Sequence, residues 1–277
     1  MSEAEVASLR LNDGREIPQI GLGVWRTPAE EAAQVVRTAV AAGYRSIDTA
    51  AAYANEPGVG EGVRSVEVPR ESLFVTTKLW NDSQGADRAR RAFDASLKRL
   101  GLDYVDLYLI HWPAPRQNLF VETWRTLLEL KREGRARSVG VSNFTPAHLQ
   151  RLLDETGEAP ALNQIELHPR LQQAELRAFH ARHGIVTEAW SPLGQGRLLD
   201  EPALQAIGRK HGKTAAQVIL RWHVQLGVVA IPKSVNPRRM AENIAVTDFA
   251  LDESDMAEIA RLDDPRGRVG PDPEAFG

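Results

Sequence analysis

From residue 29 to about residue 246 the chain alternates between two hydrophobic periods. The run PAEEAAQVVRTAVAAG places Ala32, Val35, Val36, Ala39 and Val40 on one helical stripe and stops at Gly43, after which YRSID reads as a strand. The pairing recurs. SLFVTTKLW precedes a helical run with Phe93, Leu97 and Leu100 on one face, and YVDLYLIHW precedes FVETWRTLLELKREG. ARSVGVSNF, ALNQIELHP, GIVTEAWSP and VVAIPKSV are each followed by helical spacing in turn. Repeated strand–helix units imply a parallel sheet, either open and doubly wound or closed into a barrel of eight. An open dinucleotide-binding sheet carries GxGxxG after its first strand. The nearest candidates, GLGVWR and GVGEGV, lack the third glycine at the required place, so a (β/α)8 TIM barrel is expected. No Pro/Gly/Ser linker or charge block interrupts the units, which predicts one domain over residues 1–277. SLRLNDGREIPQIGLG, turning at Asn12, Asp13 and Gly14, predicts an N-terminal hairpin capping the barrel bottom, and DDPRGRVGPDPEAFG predicts an irregular terminal loop.

Composition removes several function classes. A net charge of −3 argues against a face built for nucleic acid, and the absence of cysteine removes disulfides, thiolate metal sites and cysteine nucleophiles. The opening MSEAEVASL is acidic without an apolar core, and no run approaches a membrane span, so a cytoplasmic protein is expected. His180 and His183 stand three apart in HARH, but no third ligand accompanies them and no metal site is expected.

The reactive face of such a barrel is the C-terminal end of its strands. In order, those ends offer Asp48, Lys78, His111, Ser142 with Asn143, Gln164, Trp190 with Ser191, and Lys233 with Ser234. Each follows an apolar run that would bury it, and buried polar groups are costly unless they satisfy one another. Taken singly, Lys78 or His111 is more often a structural ion pair or a core histidine, and the tryptophans could be core. Their joint occurrence at successive strand ends points to one site.

GYRSIDTAAAYANE, KLW, LIHW, SVGVSNF, NQIELHP, EAWSPLGQG and IPKSVNPRRMAEN resemble, in order and over nearly the whole chain, the signature blocks of the aldo-keto reductase superfamily. Within it the chain looks most like the bacterial 2,5-diketo-D-gluconate reductase type, because tryptophan stands at position 190 where many relatives have tyrosine, and the tail is short. The resemblance implies a barrel that binds NADPH without a Rossmann domain and reduces a small carbonyl compound, and it implies a monomer. It assigns Tyr53 as general acid, Asp48 and Lys78 as the pair that tunes it, and His111 as the residue orienting the substrate carbonyl. An ammonium beside a phenol lowers the cost of the phenolate, so Lys78 is expected to bring the Tyr53 pKa toward working pH, with Asp48 as its counter-ion.

The same resemblance places Ser142, Asn143 and Gln164 at the nicotinamide carboxamide and Trp190 against its ring. Ser191 and Leu193 fall along the pyrophosphate. Lys233, Ser234 and Arg239 fall at the adenosine 2′-phosphate, and Glu242 and Asn243 at the adenine. Trp25, Trp80 and Trp112 form an aromatic substrate mouth. Two rivals compete with this reading. Lys78 could be the Schiff-base nucleophile of an aldolase, which leaves Asp48 and IPKSVNPRRMAEN without a role. The barrel could instead be an NADPH-holding sensor with little turnover.

Overall fold

The computed structural model describes residues 7–277; most of the opening acidic stretch lies outside them. Strands β1 (Ser8–Arg10) and β2 (Glu16–Pro18) form the expected antiparallel hairpin. Eight strands follow: β3 (Leu22–Gly23), β4 (Ser46–Asp48), β5 (Phe74–Leu79), β6 (Val105–Ile110), β7 (Ala136–Ser142), β8 (Leu162–Glu166), β9 (Val186–Trp190) and β10 (Val229–Ala230). All neighbours pair in parallel and in sequence order. The ends of this sheet meet through parallel bridges Ile20–Ala230 and Gly23–Lys233, which close it into a barrel.

Helices connect the strands because parallel neighbours require crossovers. The helix Ala29–Ala41 buries Ala32, Val35, Val36, Ala39 and Val40, the stripe read from its spacing. The helix Ala86–Leu100 buries Ala89, Phe93, Leu97 and Leu100, leaves Asp87, Arg88 and Arg91 outside, and ends at Gly101 in the left-handed conformation. Full burial of one such Phe contributes roughly 1.5–3 kcal/mol before conformational entropy is subtracted. With helices on one side and the barrel interior on the other, β4 and β5 lack an exposed face, which is why their sequences show no clean alternation.

The two ends of the barrel differ in chemistry. Leu11 and Ile17 of the hairpin pack with Phe74, Leu107, Leu109, Leu162 and Val229 into an apolar plug at the N-terminal end. Asn12 reinforces it by donating from Nδ2 to the Pro160 carbonyl at 3.0 Å. At the opposite end the inward residues turn polar. His180, one of the two histidines of HARH, is a core residue between Asn163 and Thr187, and His183 packs on Phe179.

Candidate active site

Asp48 ends β4 and Lys78 stands one position before the end of β5, in adjacent parallel strands, and both are essentially without solvent contact. Lys78 Nζ donates to Asp48 Oδ1 at 2.5 Å and to the Thr49 carbonyl at 2.9 Å. Burial alone would strip the proton from this ammonium; Asp48 and Tyr53 reverse that and raise the Lys78 pKa. Asp48 is itself pushed upward by burial, against the pull of Lys78 and Gln164.

The turn Ala51–Tyr53 carries the phenol back over this pair and ends at Ala54 with φ of 55°. Asn55 fastens the turn from behind. Its Oδ1 accepts from Thr49 Oγ1 at 2.7 Å, while Nδ2 donates to the carbonyls of Val24 at 2.9 Å and Thr27 at 3.2 Å, which bracket Trp25 and Arg26. Lys78 Nζ lies 5.1 Å from the Tyr53 ring centroid. The expected downward shift of Tyr53 is not what the structure gives. Burial raises its pKa above 10 and outweighs the lowering by Lys78, so the phenol keeps its proton at neutral pH.

His111 follows β6, with its ring edge-on to Tyr53 at 5.7 Å and to Trp80 at 5.1 Å. Burial and then the Lys78 charge hold it well below the ordinary histidine value, so it is a neutral imidazole; its Nδ1 is buried without a partner among the described residues.

Asp48, Tyr53 and His111 open onto one cleft of about 1200 Å3, and every other residue singled out in the sequence except Lys78 lines it. Lys78 lies behind this wall. That position is wrong for a Schiff-base nucleophile, which must meet its substrate, and right for a charge felt through Tyr53.

Along the cleft floor the polar residues are already engaged with one another. Trp190 Nε1 donates to Asn143 Oδ1 at 2.7 Å, Asn143 Nδ2 donates to the His111 carbonyl at 3.0 Å, and Ser142 Oγ donates to the Gln164 carbonyl at 2.8 Å. Asn143 therefore fixes the Trp190 ring as well as facing the cleft. After β9 the loop through Ser191, Gly194, Gln195 and Gly196 takes repeated left-handed conformations. At the far end, Lys233 and Arg239 are exposed and form no ion pair among the described residues, beside buried Ser234 and Asn243. Asn236 Oδ1 caps the helix Pro237–Ile244 by accepting from Arg239 N at 3.1 Å. Glu242 is paired with its neighbour Arg238 at 2.8 Å. Two free cations, small polar donors and a flat indole along one groove fit an elongated anionic ligand with an aromatic end.

Several residues of the site carry no clear signal in the sequence. The tail returns over the cleft: Val269, Gly270, Pro271 and Phe276 line it, and Phe276 lies 4.6 Å from the Trp112 ring and 6.2 Å from that of Trp80. Glu166, buried at the end of β8, accepts from the backbone N–H of Val269 at 2.6 Å and of Gly270 at 2.9 Å. Glu188 lies buried inside β9. Arg26 stacks on Trp25 at the rim. An acid inside an apolar strand run was the available signal for both glutamates; nothing local announced Phe276.

Comparison with known proteins settles the family. The Aldo/keto reductase family profile matches residues 19–264. The chain belongs to this family. It is 58% identical over 268 residues to an aldo-keto reductase of Mycolicibacterium smegmatis, 97% of each chain. It is 52% identical over 271 residues to methylglyoxal reductase DkgA of Escherichia coli, covering 97% of this chain and 98% of DkgA. Among solved structures, a mutant of Gox0644 in complex with NADPH matches with a TM-score of 0.95 at 51% identity over 99% of each chain. The expected barrel and the resemblance to the diketogluconate reductase type both hold.

Proposed function

We propose that this protein is an NADPH-dependent reductase of small carbonyl compounds in which Tyr53 is the general acid. The observation that carries the reading is the buried Asp48–Lys78 pair set behind a protonated phenol at the floor of the cleft. When bound, NADPH supplies the hydride. The remaining work belongs to the chain. Reduction leaves negative charge on the carbonyl oxygen, and Tyr53 holds a proton at neutral pH to give it. Lys78 lowers the cost of the phenolate left behind, and Asp48 keeps Lys78 charged in a place where an isolated ammonium would be neutral. His111, held neutral, orients the same oxygen without adding a competing charge.

The cleft supports the cofactor assignment. Lys233 and Arg239, free among the described residues, would hold a 2′-phosphate with Ser234 beside them; Trp190 would offer its face to the nicotinamide, and Ser142, Asn143 and Gln164 would hold its carboxamide. Ser191 and Leu193 would hold the pyrophosphate, and Glu242 and Asn243 the adenine. Trp25, Trp80, Trp112 and Phe276 make the mouth apolar, suited to a small aldehyde, dicarbonyl or keto sugar. The DkgA relatives make methylglyoxal the first compound to try.

The test is NADPH consumption by the purified protein with methylglyoxal and a panel of aldehydes and ketones, beside Tyr53→Phe. We expect turnover that falls at least about 10²-fold in the mutant, with NADPH affinity nearly unchanged. A mutant that reduces as fast as the parent would remove Tyr53 from its role.

A further inference from the structure

Beneath the four residues assigned to the reaction lies a second buried carboxyl. Glu188 is 1% exposed on β9, and β8 places Gln164 directly beside it in register. Gln164 Nε2 bridges two acids, donating to Asp48 Oδ2 at 2.8 Å and to Glu188 Oε2 at 2.8 Å. An amide nitrogen has two hydrogens, and both are used here. Gln164 therefore presents only its oxygen to the rest of the site, and its orientation is set from below by two carboxyl groups rather than by what binds above.

We propose that Glu188 is a positioning residue of this active site: through Gln164 it fixes the amide and the Asp48–Lys78 pair, and its charge governs how readily Tyr53 gives up a proton. The proposal rests on the reductase reading and adds to it a group that touches neither substrate nor cofactor. The electrostatics follow from the contents of the pocket. Among the described residues, the charged and titratable groups facing Glu188 are Asp48 from β4, Lys78 from β5 and Tyr53 from the turn above; β10, its other neighbour, brings Val229 and Ala230. With Glu188 neutral, the buried set is balanced, one carboxylate against one ammonium. With Glu188 ionised, the same dry volume holds two negative charges and one positive, and the added charge opposes formation of a phenolate at Tyr53. Burial and then Asp48 push the Glu188 carboxyl up to about 8, so the change falls just above neutrality. An acid raised in the folded state is neutral below that value and charged above it. The site is therefore at its best below about 8 and loses acid strength as pH rises through it.

Two measurements on intact protein test this. The first needs no turnover: the ultraviolet titration of Tyr53, isolated as the difference between parent and Tyr53→Phe, is repeated in the Glu188→Gln background. The amide introduced there can still accept from Gln164 but cannot ionise. We expect the Tyr53 ionisation to move down by about one pH unit, a tenfold change in its equilibrium. An unmoved titration overturns the proposal. The second is the pH profile of kcat/KM for carbonyl reduction. We expect Glu188→Gln to keep the parent's rate at pH 6.5 within about twofold and to carry the alkaline limb about one unit higher, whereas Glu188→Leu, which leaves one Gln164 hydrogen unpaired, loses about tenfold in kcat at every pH. Superimposable profiles for parent and Glu188→Gln overturn the proposal. If no substrate is found at all, the reductase reading fails, while the Tyr53 titration still decides the role of Glu188.

Discussion

Lys78 has no solvent contact, and its charge survives there because Asp48 and the Thr49 carbonyl occupy two of its three hydrogens. The pair is an arrangement in which losing one member costs more than losing both. Lys78→Met leaves the Asp48 carboxylate buried with only the Gln164 hydrogen bond. Breaking such a pair from one side typically costs about 3–5 kcal/mol. We predict a loss of that order in urea denaturation at pH 7, with part of it recovered when Asp48→Asn is added. A single mutant within about 1 kcal/mol of the parent would mean that Asp48 simply takes up a proton and the pair contributes little. This pair was legible in the sequence because each member interrupts an apolar run near the end of a strand, where a polar group has no reason to be unless it meets another. Glu188 follows the same rule but is harder to single out. It stands two residues before Trp190 in VTEAW, on the same face of β9 but within the strand, whereas reactive groups are sought at the strand end. The pKa of Tyr53 departs from expectation for a different reason. The sequence shows that a lysine is near but not how dry the phenol is, and here dryness wins.

Two elements carry the proposed binding chemistry, and they differ in how far the sequence foretells them. The helix Pro237–Ile244 was expected from its spacing, and its cap by Asn236 holds Arg239 at the cleft. Arg238 is spent on Glu242 while Arg239 is free among the described residues. We predict that Arg239→Ala weakens NADPH by about 10- to 100-fold in equilibrium titration, the worth of a hydrogen bond to a charged group, and leaves NADH nearly unchanged. Equal losses for the two cofactors would sink the phosphate assignment. The tail, by contrast, has no periodicity, and its path is written elsewhere, in Glu166. Although burial opposes it, His168 and the two backbone N–H groups bring the Glu166 pKa below its ordinary value of 4.5. The sign follows: an acid lowered by folding stabilises above its unfolded value, and that contribution disappears as pH falls through the folded one. Tryptophan emission, which reports Trp190 against Gly270, should therefore stay constant from pH 7 to 5 and change below about 4.5. At pH 7, Glu166→Gln loses the charge from the clamp, and trypsin should cut after Arg266 or Arg268 about tenfold faster, as expected for a loss near 1.4 kcal/mol. Unchanged cleavage would show that contacts other than the Glu166 clamp, among them those of Phe276, hold the tail.

At the scale of the whole barrel, the alternation of periods foretold closure but not how thinly the ring is sewn. β3 and β10 are two residues each, and the seam between them consists of isolated bridges: Gly21 N donates to the Ala230 carbonyl at 2.9 Å, Ala230 N to that of Gln19 at 2.8 Å, and Gly23 N to that of Pro232 at 3.3 Å. Strands this short leave no hydrophobic period to read, so the sequence could not delimit them. Gly23 stands at the middle of the consequences. On one side it is in register with Asp48, on the other it bridges to Lys233, so a single residue links the floor of the site to the proposed phosphate end. The approach at the seam is as close as backbone allows: a Cβ added to Gly23 would lie 2.8 Å from the Ile231 carbonyl oxygen, a backbone atom that cannot swing away. Gly23→Ala must then widen the seam. Overpacking of this kind costs typically 1–3 kcal/mol, and a chain of this size loses about 2–4 °C in Tm for each of them. Displacing Lys233 relative to Asp48 should also weaken NADPH, because a ligand that spans the cleft needs both ends in place at once. Calorimetry and cofactor titration on the same variant separate the outcomes: a lower Tm with weaker NADPH binding is expected, whereas a lower Tm with unaltered affinity would mean that the seam yields on the hairpin side and leaves the two halves of the cleft in register.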